Sequence, residues 1–119
     1  MTDHDFHIET EASVSIPAAA ATRVWLAGEL DSTAAGKLRD VLIDVVDARA
    51  AARILVDLDK VTFIDAAAIS AILDGYLVAH HAGVALRLTN ARGIVHHVFT
   101  ALGMLALFIP DRHSGESRE

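Results

Sequence analysis

An apolar segment that leads into a run of small residues constrains the fold of this chain more than any other feature. Residues 54–58 read ILVDL, a nearly continuous apolar run typical of a strand buried on both faces. Asp65 comes shortly afterwards and directly precedes AAAISAIL, where apolar residues recur at helical spacing. An aspartate at this point can accept hydrogen bonds from the free N–H groups of a helix start, and the helix dipole favours its charge. The segment therefore predicts a central strand, a turn at Asp65 and a helix that begins at residue 66.

The patterns on either side of this segment predict alternating strands and helices. In chain order they are strands at 7–16 and 23–30, a helix at 33–48, the central strand, a helix at 66–82, a strand at 84–88, a helix capped by Asn90 that ends at Gly103, and a short strand at 105–109. Alternation of this kind implies a largely parallel sheet, and the close spacing of the first two strands implies an antiparallel pair. We predict one α/β domain over residues 1–110 with three main helices, followed by a charged, disordered tail at 111–119.

Composition and charge limit the classes of function. The 119 residues are 53% apolar, which is enough for one domain with its own core. The net charge of −6, without a basic cluster, argues against a nucleic-acid partner. No apolar run approaches the roughly 18 residues of a membrane-spanning helix, and the N-terminus lacks the pattern of a secretory signal. We therefore expect a cytoplasmic protein that does not insert into a membrane.

Catalytic and metal-binding patterns are weak in this sequence. The chain has no cysteine, no phosphate-cradling glycine loop and no nucleophile elbow. Histidines occur as adjacent pairs at 80–81 and 96–97, and adjacent side chains on a helix point about 100° apart, so neither pair is suited to chelate one ion. We expect no enzyme activity, no metal and no cofactor.

Three short segments resemble the STAS domain, the family of anti-sigma factor antagonists and of domains attached to sulphate transporters. They are GELD at 28–31, VDLDKVTFID at 56–65 and LGML at 102–105, and the resemblance extends over residues 7–109. It implies a protein that binds an anti-sigma factor or a similar kinase-like regulator. It also implies that a kinase switches such binding off by phosphorylating a serine at the start of the helix after the central strand.

This chain departs from the family at that phosphorylation site. The family pattern is aspartate, serine, serine or threonine, then glycine, whereas this chain has Asp65, Ala66, Ala67 and Ala68. Ala67 occupies the acceptor position, and alanine has no oxygen that could carry a phosphoryl group. We therefore expect partner binding without phosphorylation at this residue. Thr62 and Ser70 remain open as substitute acceptors.

The helix predicted at 66–82 supplies most of the expected partner surface. A helical wheel directs Ile69, Ile72, Leu73 and Tyr76 into the sheet. It leaves an outward row on the opposite side that consists of Ala67, Ala71, Asp74 and Val78. The predicted partner-binding residues are Asp31, Asp65, Ala66, Ala67, Ala68, Ser70, Ala71, Asp74 and Val78. A capping role alone can also explain both aspartates, and the helix propensity of alanine can explain the row.

Two further functions stay open beside an anti-sigma factor antagonist. The chain could be a small STAS subunit that braces the ATPase of a bacterial lipid-transport ABC complex, a role that needs no phosphorylated serine. It could also only self-associate within a larger signalling assembly, with Val78 as an apolar contact. Whether the protein is a monomer or a dimer is left open by the sequence.

Overall fold

The computed structural model describes residues 6–13, 21–48 and 52–108, and the tail predicted at 111–119 lies outside them. The elements are β1 (Phe6–Ser13), β2 (Ala21–Leu30), α1 (Ser32–Ala48), β3 (Arg53–Ile64), α2 (Ala66–His81), β4 (Ala85–Thr89), α3 (Gly93–Ala101) and a 3₁₀ turn (Leu105–Leu107). The α/β order with three helices is confirmed. Within these residues, no helix is both long and apolar enough to cross a membrane.

The four strands form one sheet in the order β1-β2-β3-β4. β1 and β2 are antiparallel, whereas β2, β3 and β4 run parallel, as predicted. The prediction of a strand at 105–109 is wrong for its described part, 105–108. Leu105–Leu107 form the 3₁₀ turn, and Phe108 makes a bridge to Leu88 of β4. A short apolar run fits a strand and a tight turn equally well, and here Leu107 turns inward and is buried.

One face of the sheet carries the core. The strand register aligns Val24, Val56 and Leu88 side by side, and all three are fully buried. The connections β2-α1-β3 and β3-α2-β4 step across the sheet in the same direction. Because such connections are right-handed, α1 and α2 lie on the same face of the sheet.

The contact between α1 and α2 is unusually close because α2 has a glycine at the crossing. A Cβ atom on Gly75 would lie 2.8 Å from Leu42 Cδ1 and 2.9 Å from Leu42 Cβ. Leu42 itself is fully buried. α2 is therefore covered on two sides, by the sheet and by α1.

The end of β3 is held beside the end of β2. Two register shifts place two extra residues of β3 opposite β2, so that the strands end together at the pair Leu30 and Ile64. The backbone N–H of Asp65 then donates to the carbonyl of Leu30 at 3.0 Å. Phe63, just before this turn, is 45% exposed. The turns that follow β2 and β3 consequently lie next to each other at the carboxyl edge of the sheet.

Candidate functional site

Asp31 and Asp65 follow these two neighbouring strands, and each caps the next helix. The Oδ1 atom of Asp31 accepts from the N–H of Thr33 at 2.9 Å and of Ala34 at 3.3 Å. The Oδ1 atom of Asp65 accepts from the N–H of Ala68 at 3.1 Å. Side-chain acceptors of this kind satisfy helix-start donors that have no partner in the helix. The capping roles suggested by the sequence are confirmed for both residues.

The three alanines after Asp65 differ in what they present at the surface. Ala66 is exposed, Ala67 is half-buried and Ala68 is fully buried. Ala68 therefore cannot offer its side chain to a partner, contrary to the prediction. Its methyl group points into the core because the first turn of α2 packs on the sheet. At Ala67 only a partly covered methyl group is available.

The outward row predicted on α2 is wrong. Ala71 is 1% exposed, and Val78 is half-buried against the core. Asp74 is directed toward α1, where its Oδ2 atom accepts from Arg39 Nε at 3.1 Å. The physical reason is that α2 packs against α1 as well as against the sheet. α1 lies on the side of α2 that the helical wheel assigned to solvent.

A different stripe of α2 faces solvent. We define the α2 outer face as Ala66, Ser70, Leu73 and Leu77, which are spaced at four, three and four residues and are all exposed. Leu73 is 38% exposed and Leu77 is 45% exposed, although Leu73 was predicted to point inward. The sequence signal that was available is Gly75, since a glycine in a helix often marks close contact with another element.

Four residues with hydroxyl side chains, on α2, on β3 and at the start of α1, are exposed. Ser70 lies on the α2 outer face, and Thr62 lies on the exposed part of β3. Ser32 and Thr33 are exposed at the start of α1. Ser70 and Thr62 are therefore exposed, and the hypothesis that one of them replaces the missing phosphorylation acceptor stays a hypothesis.

A polar cluster on β3 was missed by the sequence analysis. Asp57 is buried, and its carboxylate accepts from the backbone N–H of Asp59 at 2.9 Å and from Asn90 Nδ2 at 3.1 Å. Asp59 Oδ1 lies 2.6 Å from Arg92 Nε. The prediction that Asn90 caps α3 is wrong, because Arg92 occupies the N-cap position, without a capping hydrogen bond from its side chain. Asn90 instead fastens the β4–α3 loop to β3.

The four paired histidines are all exposed. His80 stacks on Tyr76 with ring centroids 6.3 Å apart, which is an ordinary contact between residues one helical turn apart. Across the described ranges, no three His, Asp or Glu side chains come together in a way that could hold a metal ion.

Comparison with known proteins gives a family and a fold. A family model described as the STAS domain matches residues 10–117. The anti-sigma factor antagonist SpoIIAA in its unphosphorylated form has a TM-score of 0.69 at 17% identity, over 92% of this chain and 95% of that chain. An anti-sigma factor antagonist from Mycobacterium paratuberculosis also has a TM-score of 0.69, at 19% identity, over 95% and 93% of the two chains.

A transporter-associated structure is similar as well. A sulfate transporter family protein from Wolinella succinogenes has a TM-score of 0.62 at 19% identity, over 72% of this chain and 69% of that chain. No curated protein sequence is significantly similar to this chain. At these identities the solved structures establish the fold alone.

Proposed function

The chain belongs to the STAS domain family, and on that premise we propose that it is a non-catalytic, protein-binding regulatory domain of the anti-sigma factor antagonist type. The observation that carries the proposal is the exposed leucine pair, Leu73 and Leu77, on the α2 outer face. This face begins at the turn held by Asp65, which is the end of the domain that the family resemblance assigns to partner binding.

The α2 outer face is suited to a protein partner because it is rigid and partly apolar. The opposite side of α2 is buried by Ile72 and Ala79, and Asp65 caps its first turn. Burying a leucine completely contributes roughly 1.5–3 kcal/mol, and each of these two leucines is already partly covered. Covering both would therefore contribute a few kcal/mol, and the small neighbours Ala66 and Ser70 would let another backbone come close.

We propose that the partner is an anti-sigma factor or a similar kinase-like regulator. The two similar anti-sigma factor antagonists support this choice, although at their identities they share only the fold. Because the side chain of Ala67 has no hydroxyl group, binding would not be switched off by phosphorylation at that residue. The protein would act in the cytoplasm of a bacterium as a component of transcriptional regulation.

Affinity purification followed by mass spectrometry tests the proposal. The tagged chain is compared with a Leu73→Ser/Leu77→Ser variant and with an Ile94→Ser/Leu102→Ser variant, whose apolar side chains are also exposed but lie on and after α3. We expect the unchanged chain and the α3 variant to recover an anti-sigma factor that the α2 variant loses. Recovery of a permease and an ATPase instead would indicate the ABC-complex function.

Binding strength is then measured by calorimetry with the recovered partner. We expect the α2 variant to lose roughly 10-fold or more in affinity, in line with truncation of apolar contacts at an interface. No binding of the unchanged chain at tens of micromolar, or an equal loss in the α3 variant, would contradict the proposal.

Restoring a hydroxyl at position 67 tests the absence of the switch. If the partner is a kinase, Ala67→Ser should gain one phosphoryl group with ATP, and the added charge of about −1.5 to −2 should weaken the complex. The unchanged chain, treated in parallel, should gain no phosphoryl group, and intact-protein mass spectrometry measures this for both chains. A phosphoryl group on Ser70 or Thr62 of the unchanged chain that loosens the complex would show that regulation by phosphorylation survives.

A further inference from the structure

The outer edge of β4 is only partly paired by the residues that the structure describes. The backbone N–H of Ala85 donates to the carbonyl of Ala52 at 3.0 Å and so faces β3. Because backbone groups of successive strand residues point to alternate sides, those of Leu86 and Leu88 point away from β3. Phe108 bridges to Leu88. No other residue among 6–13, 21–48 and 52–108 pairs with this edge, so the backbone at Leu86 has no partner strand there.

Arg87 covers the open position with its own side chain. Its Nη1 atom donates to the carbonyl of Leu86 at 2.9 Å. Arg39 and Arg92 are each paired with a carboxylate, whereas Arg87 has no carboxylate within ion-pair distance in the described ranges. Charged side chains commonly protect sheet edges from unwanted pairing. The guanidinium of Arg87 therefore holds the acceptor that a docking strand would use, and its charge is available to a ligand.

A groove of about 370 Å³ runs along this edge, between the end of α2 and β4. Its lining consists of Tyr76, His80, Gly83, Val84, Ala85 and Arg87, and it contains no acidic residue. The stacked rings of Tyr76 and His80 form one wall. Gly83, with φ of 75°, turns the chain so that its N–H donates to His80 and that of Val84 donates to Ala79, and two carbonyls at the end of α2 are thereby satisfied.

We propose that this groove binds an extended peptide segment that carries an acidic side chain and adds to the sheet beside β4. A peptide N–H would replace Arg87 at the carbonyl of Leu86, and a peptide carbonyl would accept from the N–H of Leu86. The released guanidinium would then pair with the carboxylate of the peptide. Strand addition takes affinity from such main-chain bonds and specificity from side-chain contacts, and a charge-assisted pair adds selectivity.

The charge of the groove distinguishes this occupant from a neutral strand. The chain as a whole is acidic, with a net charge of −6, so a segment with several acidic residues would be repelled at a distance. A segment with one acidic residue placed opposite Arg87 avoids most of this repulsion. The groove lies on β4 and the far end of α2, where His80 follows Leu77 of the α2 outer face by three residues. Its observations are the sheet edge and Arg87, so the inference does not depend on the proposed function.

Binding is tested with two synthetic peptides and the full chain. Both alternate threonine and valine, and one has a central glutamate where the other has glutamine. We expect the glutamate peptide to bind roughly 10-fold more tightly in calorimetry. In NMR hydrogen exchange, it should slow exchange at the N–H of Leu86 and shift the resonances of Arg87 and Tyr76. Equal affinities of the two peptides, or no change at Leu86, would overturn the proposal.

Two variants and a free anion complete the test. Arg87→Gln should abolish the preference for glutamate, while Lys37→Gln, which removes the same charge from the exposed side of α1, should keep it. Sodium glutarate, which has carboxylates but no peptide backbone, should not slow exchange at Leu86. A preference that survives in Arg87→Gln, or glutarate that reproduces the effects of the peptide, would overturn the proposal.

Discussion

At the scale of single residues, Gly75 shapes the candidate site through the packing of α2 on α1. Its missing side chain lets α1 approach α2 through Leu42, and this approach decides which residues of α2 are left to solvent. Leu73 and Leu77 are exposed because Ala71, Asp74 and Gly75 are turned toward α1 or the core. The chemistry of the surface is therefore set by a residue that does not belong to it.

We expect Gly75→Ala to destabilise the protein by about 1–2 kcal/mol. Overpacking costs about 1–3 kcal/mol, and the better helix propensity of alanine offsets up to about 1 kcal/mol of that cost. Urea denaturation measures the free energy of unfolding. Gly36→Ala in α1 is the matched control, since a Cβ there meets nothing within 4 Å. It should gain up to about 1 kcal/mol, and an equal gain in Gly75→Ala would contradict the close contact.

Asp65 is the second residue with a defined energetic role. We expect Asp65→Ala to lose roughly 0.5–2 kcal/mol of stability, because the N–H of Ala68 loses its acceptor. Asp65→Ser should retain most of the stability, since a serine hydroxyl can accept the same bond. Thermal and urea denaturation compare the two variants. An equal loss in both would show that the negative charge matters more than the capping hydrogen bond.

At the scale of secondary-structure elements, α3 and the sheet are joined by a polar loop. Asn90 has a left-handed backbone, with φ of 64°, and its side chain reaches the buried Asp57. Arg92 and Asp59 form a second link between the same elements. The loop after β4 is thus fastened to the middle of β3, and both links depend on partners distant in sequence.

Two substitutions separate the contributions of Asn90. Asn90→Gly keeps access to the left-handed backbone but leaves Asp57 without an amide donor, and we expect a loss of about 1–2 kcal/mol. Asn90→Ala should lose about 1 kcal/mol more, because alanine pays for the left-handed conformation. Both values come from urea denaturation. If alanine were the better tolerated of the two, the left-handed geometry of this loop would be wrong.

At the scale of the whole molecule, two adjacent residues of α2 have separate roles. Val78 contributes to stability, and Leu77 is available for association. Val78 is half-buried against the core, whereas Leu77 is 45% exposed. A charge at Val78 enters apolar packing, and a charge at Leu77 enters water. Self-association through α2 must therefore be tested at Leu77, and the sequence-based choice of Val78 is corrected.

We expect Val78→Asp to destabilise the protein by about 2 kcal/mol or more, and Leu77→Asp to change stability by less than about 0.5 kcal/mol. Denaturation curves measure both. Light scattering at several concentrations then compares Leu77→Asp with the unchanged chain, and a dimer that is lost in the variant would place the self-contact on the α2 outer face. Equal stability losses in the two variants would contradict the described orientation of α2.

Local patterns in the sequence determined the order of the elements, the antiparallel start of the sheet and the caps at Asp31 and Asp65. These features depend on residues close together in the chain, so their periodicity and capping chemistry can be recognised from the sequence alone. The exposed side of α2 and the 3₁₀ turn at Leu105–Leu107 were decided only by tertiary structure. The same holds for the edge at Leu86, which has no partner strand within the described residues. A helical wheel gives the spacing of apolar residues, but it does not show on which side a second element packs against the helix. For α2 that second element is α1, which Gly75 allows to come close.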